Sequence, residues 1–272
     1  MQSYTVLGAS GFVGSRIVKM LSAGGMSCYV PARGESDIFE RDLGRIFFCV
    51  GLTADYAQRP FDTVEAHVAF LARVLAKARF ERLVYLSSTR LYDKLPSGIC
   101  REDVDLPINP MNPRHLYDLS KALGENLCLT ASDGRASVAR LSCVYDDVPG
   151  SPGFLSELLQ RLRTERTFTL YSATGIARDY VALDDVAAIL KRILDSGRSE
   201  IFNVASGENV SNEEIVESLN ASGCRISLSR RSNRQDQARC DVTKIRAFGI
   251  QPVLVRDYLK AFLGNLDANA NR

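Results

Sequence analysis

Three groups of residues in this chain can do chemistry together. Tyr117 and Lys121 stand at i and i+4, the spacing that places two side chains on one helix face. Upstream, an apolar run ends in the hydroxyls Ser87-Ser88-Thr89, and the N-terminus carries Gly8-Ala-Ser-Gly11-Phe-Val-Gly14. A Tyr-x-x-x-Lys pair alone says little, because any surface helix can hold one. With a strand-end hydroxyl and a glycine turn before it, the pair becomes a proton-transfer site. A neighbouring ammonium favours the phenolate. Such a phenol can exchange a proton with a carbonyl oxygen while hydride moves to or from a nicotinamide.

The elements that must position these groups are legible in the hydrophobic pattern. Tyr4–Leu7 reads as a short buried strand, and Phe12–Ala23 as a helix whose Val13, Ile17, Val18 and Leu21 share one face. In the turn between them Gly8 bends the chain, Gly11 admits a pyrophosphate and Gly14 lets helix and sheet meet. Ser10, Phe12 and Val13 complete a cradle at the positive helix end. Further strands are expected at Cys28–Ala32, Ile46–Val50, Leu83–Leu86 and Ser137–Leu141. Helices are expected over Asp62–Ala78 and from Pro113 through Tyr117 and Lys121 to Thr130. This alternation predicts a Rossmann-type doubly wound α/β fold with a parallel sheet. Residues 1–145 form the dinucleotide domain, with 176–205 returning to it, and 146–272 form mainly a small substrate-binding lobe. In that lobe Asp184 is the expected N-cap of Val186–Leu194, and Ser211-Asn-Glu-Glu214 an expected capping box. Arg230–Arg239 reads as a basic loop and Asp267–Arg272 as a frayed tail.

Bulk properties exclude other classes. With 34 basic and 32 acidic residues the net charge is +2, too small for a field that would gather nucleic acid or an anionic membrane. Seven cysteines without a C-x-x-C pair, and only two histidines, argue against a disulfide framework and against a metal site. No signal segment or membrane-length apolar run is visible, so a cytoplasmic location is expected.

Longer motifs carry a resemblance. Leu86-Ser-Ser88-Thr-Arg-Leu-Tyr92, Tyr117-x-x-x-Lys121, Arg178-Asp-Tyr-Val181 running to Asp185-Val, and Phe202-Asn-Val-Ala-Ser-Gly207 join the glycine turn. Together they resemble the extended short-chain dehydrogenase/reductase family, in its nucleotide-sugar epimerase/dehydratase branch. The resemblance implies catalytic Ser88, Tyr117 and Lys121, Ser88 being four before Tyr92. It leaves Ser87 and Thr89 as satisfied strand-end hydroxyls and His67 as structural. It implies cofactor contacts from Gly51, Leu52 and Thr53, and substrate contacts from Ser88, Arg90, Cys143, Arg178 and Arg234, the two last as diphosphate ligands. Cys143 stands where relatives place an Asn. Arg33, following Ala32 where NAD users carry an Asp, implies NADP, with NAD possible. The stretch Arg33–Arg45 is shorter than in relatives, which fit a helix and a further strand there. Thr89-Arg90 replaces the acid pair of dehydratases and the Cys of 3,5-epimerising reductases. Redox at C4 remains: first NADPH-dependent reduction of a 4-keto-6-deoxyhexose, alternatively 4-epimerisation with retained cofactor, and from another class a non-catalytic dinucleotide-binding regulator. A homodimer through the 62–78 and 113–130 helices and a place in polysaccharide biosynthesis are implied as well.

Overall fold

A computed structural model describes residues 3–96, 98–235 and 237–270. Near-continuous apolar runs form the strands, as expected for strands covered on both faces. The central sheet has six parallel strands in the order Ile201–Val204, Ala136–Leu141, Arg82–Ser88, Arg45–Phe48, Tyr4–Leu7, Cys28–Tyr29. From Tyr4–Leu7 the chain goes first to Cys28–Tyr29 on one side and then to Arg45–Phe48 on the other. That reversal opens a crevice at the carboxyl ends of the strands, the place where such sheets bind ligands.

Alternation along each strand divides the core. Phe47 points to the face covered by the Phe12–Ala23 and Leu183–Ser196 helices, with Ile17, Leu21, Val186 and Leu190. Phe48 points to the opposite face, covered by residues 60–77 and the His115–Thr130 helix, with Leu71, Val74 and Cys128. A separate cluster builds the lobe, where the Phe154–Leu162, Asn212–Ala221 and Val255–Ala270 helices pack on paired strands Thr167–Ala173 and Arg225–Arg230. Between lobe and main sheet lies a three-stranded sheet of Asn209–Ser211, Ala177–Ala182 and Cys143–Tyr145.

Several expectations change. The second strand is only Cys28–Tyr29, because Pro31 soon follows and offers no amide to a ladder. The short Arg33–Arg45 stretch holds one 3-10 turn, Asp37–Phe39, so Cys28–Tyr29 is the sheet edge. The helix begins at Pro60 and passes through a π-helical segment, Glu65–Ala69, before Phe70–Lys77. The buried Tyr85 hydroxyl donates to the His67 carbonyl in that segment at 3.2 Å. Asp184 is not an N-cap: the helix starts at Leu183 after Ala182, and the Asp184 carboxylate pairs with Arg16. The Ser211–Glu214 capping box forms as expected. The final helix runs through Ala270, so most of the expected tail is helical, and residues 271–272 lie outside the described residues.

Candidate active site

Tyr117 and Lys121 lie one turn apart on the His115–Thr130 helix, on its face toward the sheet, with 3 % and 4 % exposure. Ser88 ends the Arg82–Ser88 strand, and its hydroxyl accepts the Arg90 N–H at 3.2 Å to start a 3-10 turn, Thr89–Tyr92. Burial pushes the Tyr117 phenol above its ordinary range, while the hydroxyls of Ser88 and Thr53 and the Arg90 charge draw it back. Burial also pulls the Lys121 amine down to about 7, with Glu125 one turn further on opposing it. Lys121 Nζ donates to the Leu86 carbonyl at 2.8 Å and lies 5.9 Å from the Tyr117 ring centre. Arg90 is closer, its Cζ 4.5 Å over the same ring. The cation nearest the phenol ring is therefore Arg90, not the lysine that spacing alone suggested.

His67 is fully buried behind this pair. Its Nε2 accepts the Leu52 N–H at 3.0 Å, so its Nδ1 carries the proton toward Ser120 Oγ at 2.8 Å. The Ser120 hydroxyl in turn donates to the Tyr117 carbonyl at 2.8 Å. Burial, then the Lys121 charge, lowers the imidazole to about 3. A ring held neutral and saturated with partners ties the Gly51-Leu52 turn to the His115–Thr130 helix.

The glycine turn fits a dinucleotide. A Cβ on Gly8 (φ +83°) would lie 2.8 Å from the Cys49 carbonyl, and one on Gly14 would lie 2.3 Å from the Gly8 oxygen. The turn is thus pressed against the Cys49-Val50 strand end. A Cβ on Gly11 would meet only the Gly8 oxygen, at 3.3 Å, leaving that side open. Phe12 begins a helix with no side-chain cap and no acid in its first turn, an arrangement that suits a pyrophosphate. At Gly51 a Cβ would stand 3.1 Å from His67 Nε2 and 3.3 Å from Lys121 Nζ, so only glycine keeps this wall clear. Arg33 is exposed at the sheet edge. Beside it the Ala32 N–H donates to Glu35 Oε2 at 2.6 Å, so an acid that sequence reasoning did not single out folds back onto the strand end.

Long-range hydrogen bonds explain the other motifs. Ser87 donates to Glu125 at 2.5 Å, Glu125 is held by Arg140 at 2.6 and 2.9 Å, and Arg140 donates to the Tyr92 hydroxyl at 2.7 Å. Tyr92 donates to Asn203 at 2.8 Å. Ser87 is thus a satisfied hydroxyl, as expected. Asp179 accepts the Ser206 and Gly207 N–H groups at 2.8 and 2.7 Å, which ties the Arg178–Val181 motif to the Phe202–Gly207 motif. Burial lifts its carboxyl to about 6.

Two cavities adjoin the crevice and share Cys143 and Arg178. The first, about 280 Å³, is lined by Thr89, Arg90, Arg114, Cys143, Arg178 and Gln237 among others. The second, about 250 Å³, lies toward the lobe between Tyr145, Phe154, Arg178, Tyr180 and Asn212. Thr89 thus lines the site rather than merely closing a strand. Cys143 lines both cavities and is exposed to solvent there, yet desolvation by the protein around it pushes its thiol up to about 11. Arg234 lines neither cavity: its guanidinium bonds Glu214 at 2.7 Å, and Asp236, used to align it, lies outside the described residues. Asp93, bound by Arg114 and by Gln237 at 3.1 Å, clasps the two sides of the first cavity. Neither Arg114 nor Gln237 belongs to a motif, so only folding could find them.

A match to the NAD dependent epimerase/dehydratase family spans residues 4–205. The chain belongs to this family. Its fold is that of the extended short-chain dehydrogenase/reductase type, and the chain spans about half the length of the first curated relatives it matches. A UDP-glucose 4-epimerase of Mycolicibacterium smegmatis is 26% identical over 259 residues, covering 77% of this chain and 79% of that protein. The dTDP-4-dehydro-6-deoxyglucose reductase of Escherichia coli is 24% identical over 166 residues, which cover 58% of this chain and only 50% of that protein. Among solved structures, MoeE5 in complex with UDP-glucose and NAD superposes with a TM-score of 0.76 at 22% identity, covering 100% of both chains. No helix among the described residues is long and apolar enough to cross a membrane, and these residues form no His/Cys/Asp/Glu cluster that could hold a metal.

Proposed function

We propose that this member of the family moves hydride between nicotinamide and C4 of a nucleotide-linked hexose. The observation that carries the reading is the meeting of the Tyr117 phenol with the Ser88 hydroxyl at the end of a crevice that also holds the glycine turn. The bound dinucleotide would supply or accept the hydride, held by Gly8, Ser10, Gly11, Phe12, Val13 and Gly14 at its pyrophosphate and by Gly51, Leu52, Thr53 and Lys121 at its nicotinamide end. Ser88 orients the sugar oxygen. Tyr117 gives or takes its proton, and Lys121 adds positive charge behind the phenolate. Arg178, on the wall shared by the two cavities, faces the diphosphate. The second cavity then takes the nucleoside and the first the sugar. Arg234, engaged with Glu214, is left out of this set.

Two forms of the reaction compete: net reduction of a 4-keto sugar, as for the 4-dehydro-6-deoxyglucose reductase relative, and 4-epimerisation with retained cofactor, as for the UDP-glucose 4-epimerase relatives. A panel of nucleotide hexoses and 4-keto sugars separates them, with cofactor oxidation followed optically and product stereochemistry by NMR. Stoichiometric NADH or NADPH consumption identifies a reductase; interconversion without it identifies an epimerase. Dinucleotide binding with no turnover of any member would overturn both and leave the regulator.

A further inference from the structure

The two cations near the Tyr117 phenol are held in different ways. Lys121 Nζ donates to the Leu86 carbonyl at 2.8 Å and stands 4.9 Å from the Tyr85 ring centre against 5.9 Å from that of Tyr117, so the amine is turned toward the strand. Burial pulls it down to about 7, with Glu125 opposing, and near neutrality it carries only part of a charge. Arg90 is half-buried between Tyr117 and Tyr56, its Cζ 4.5 and 5.0 Å from their ring centres, and it donates to the Tyr56 hydroxyl at 3.2 Å. Asp118 steadies it by charge: burial pushes that carboxyl up, and Arg90 is first among the charges drawing it back. The buried Asp118 Oδ1 takes no hydrogen bond among the described residues, so its tie to Arg90 is through space. A guanidinium does not lose its proton in a protein, whereas a sealed ammonium can.

Among the described residues, the other groups facing Tyr117 are neutral or acidic. The Glu65–Ala69 segment brings His67 edge-on at 5.4 Å, held neutral by burial and by Lys121. The loop before Pro60 brings the Tyr56 ring to 5.3 Å, and the Arg82–Ser88 strand brings the buried Tyr85 phenol. Burial pushes the Tyr117 phenol up; the Ser88 hydroxyl, the Arg90 charge and the Thr53 hydroxyl work against it, and Asp118 adds to it. An opposite charge within about 4–6 Å lowers an acid by about 1–3 pH units. Arg90 lies in that range, and Asp118 takes back part of its effect.

We propose that Arg90, and not Lys121, is the cation that stabilises the Tyr117 phenolate, which leaves Lys121 to the strand end and the Gly51 turn. This rests on the reading of Tyr117 as the proton carrier and deepens it; Arg90 is a positioning residue that acts through the phenol. Protein isotope-labelled at tyrosine Cζ and saturated with oxidised NAD, or in a second run with oxidised NADP, is titrated with base by NMR. The signal missing from Tyr117→Phe is the one followed. Arg90→Met, which keeps an apolar stem between the two rings, raises the Tyr117 midpoint by at least about one pH unit. Arg90→Lys raises it less, and so does Lys121→Met. An unchanged midpoint in Arg90→Met overturns the proposal, as does a larger rise in Lys121→Met. An equal rise in Arg90→Met and Arg90→Lys also overturns it, leaving Arg90 as packing for the ring. So does a phenol that stays protonated to the alkaline limit of folding in wild type and variants alike. Turnover of the sugar panel is measured on the same proteins. A midpoint that moves as expected without turnover of any sugar defeats the reading of Tyr117 as proton carrier and leaves the charge assignment standing.

Discussion

Arg140→Met tests whether the strand-end motif is held by the buried Glu125–Arg140 pair. Both side chains are nearly sealed, at 3 % and 5 % exposure for Arg140 and Glu125. Glu125 accepts from Arg140 Nε and Nη2 at 2.9 and 2.6 Å and from Ser87 at 2.5 Å. Removing the guanidinium leaves an ionised carboxylate with one hydroxyl donor and strips the Tyr92 oxygen of its 2.7 Å donor. Breaking one side of such a pair costs about 3–5 kcal/mol. At about 2–4 °C per kcal/mol for a chain of this size, the melting temperature falls by about 6–20 °C. The double variant Arg140→Met/Glu125→Gln removes both charges together and recovers most of that loss, because the pair repays little beyond its own desolvation. Urea unfolding of the wild type, both single variants and the double variant closes the cycle. A loss below about 1 kcal/mol for Arg140→Met, or strict additivity in the double variant, would refute the reasoning.

Tyr117→Phe keeps the packed ring and removes the transferable proton, so turnover drops at least about 100-fold while dinucleotide binding persists; retention of more than about a tenth of the activity rejects its role. The Lys121 amine titrates near 7 in the folded chain, below its ordinary 10.5, so the unfolded chain holds a proton that the folded one has lost between those values. Stability therefore rises with pH across that window. Lys121→Met abolishes the slope and melts higher than the wild type, most of all below about pH 7; parallel pH profiles of thermal melting in the two proteins would contradict this. Were Arg33 to face a 2′-phosphate, its exposure would limit the contact to about 0.2–1 kcal/mol, so Arg33→Ala would weaken NADPH by less than about sixfold and less still at high salt, while Glu35→Gln would strengthen NADPH. Equal dissociation constants for NADH and NADPH in the wild type would dismiss the NADP preference. Phe61 and Val64 on one helix and Leu119 and Leu123 on the other are exposed, and a dimer through these helices would bury them. Light scattering should give twice the chain mass for the wild type and a monomer for Leu123→Glu; a monomeric wild type rules the dimer out.

Local pattern sufficed where neighbours in sequence are neighbours in space. The Tyr117–Lys121 spacing and the Ser211 capping box depend on contacts a few residues apart, so residue type and period determined them, while the glycine turn and the buried strands showed as motif and apolar runs although their partners are distant in sequence. The shortened Arg33–Arg45 stretch likewise announced the narrower sheet edge. Tertiary structure alone decided what depends on distant partners. Arg90 stacks on Tyr117 from 27 positions away, nearer than the lysine one turn along the same helix. Asp184 has the composition of a cap but is claimed by Arg16 across the fold. Arg234 looked like a phosphate ligand in a basic loop, yet Glu214 holds it away from the cavities. The helix around His67 gains a π segment under a buried imidazole that no periodicity signals. Charge pairing and burial are properties of the folded surface, and composition does not carry them, because the low dielectric that gives each charge its strength exists only after the chain has closed around it.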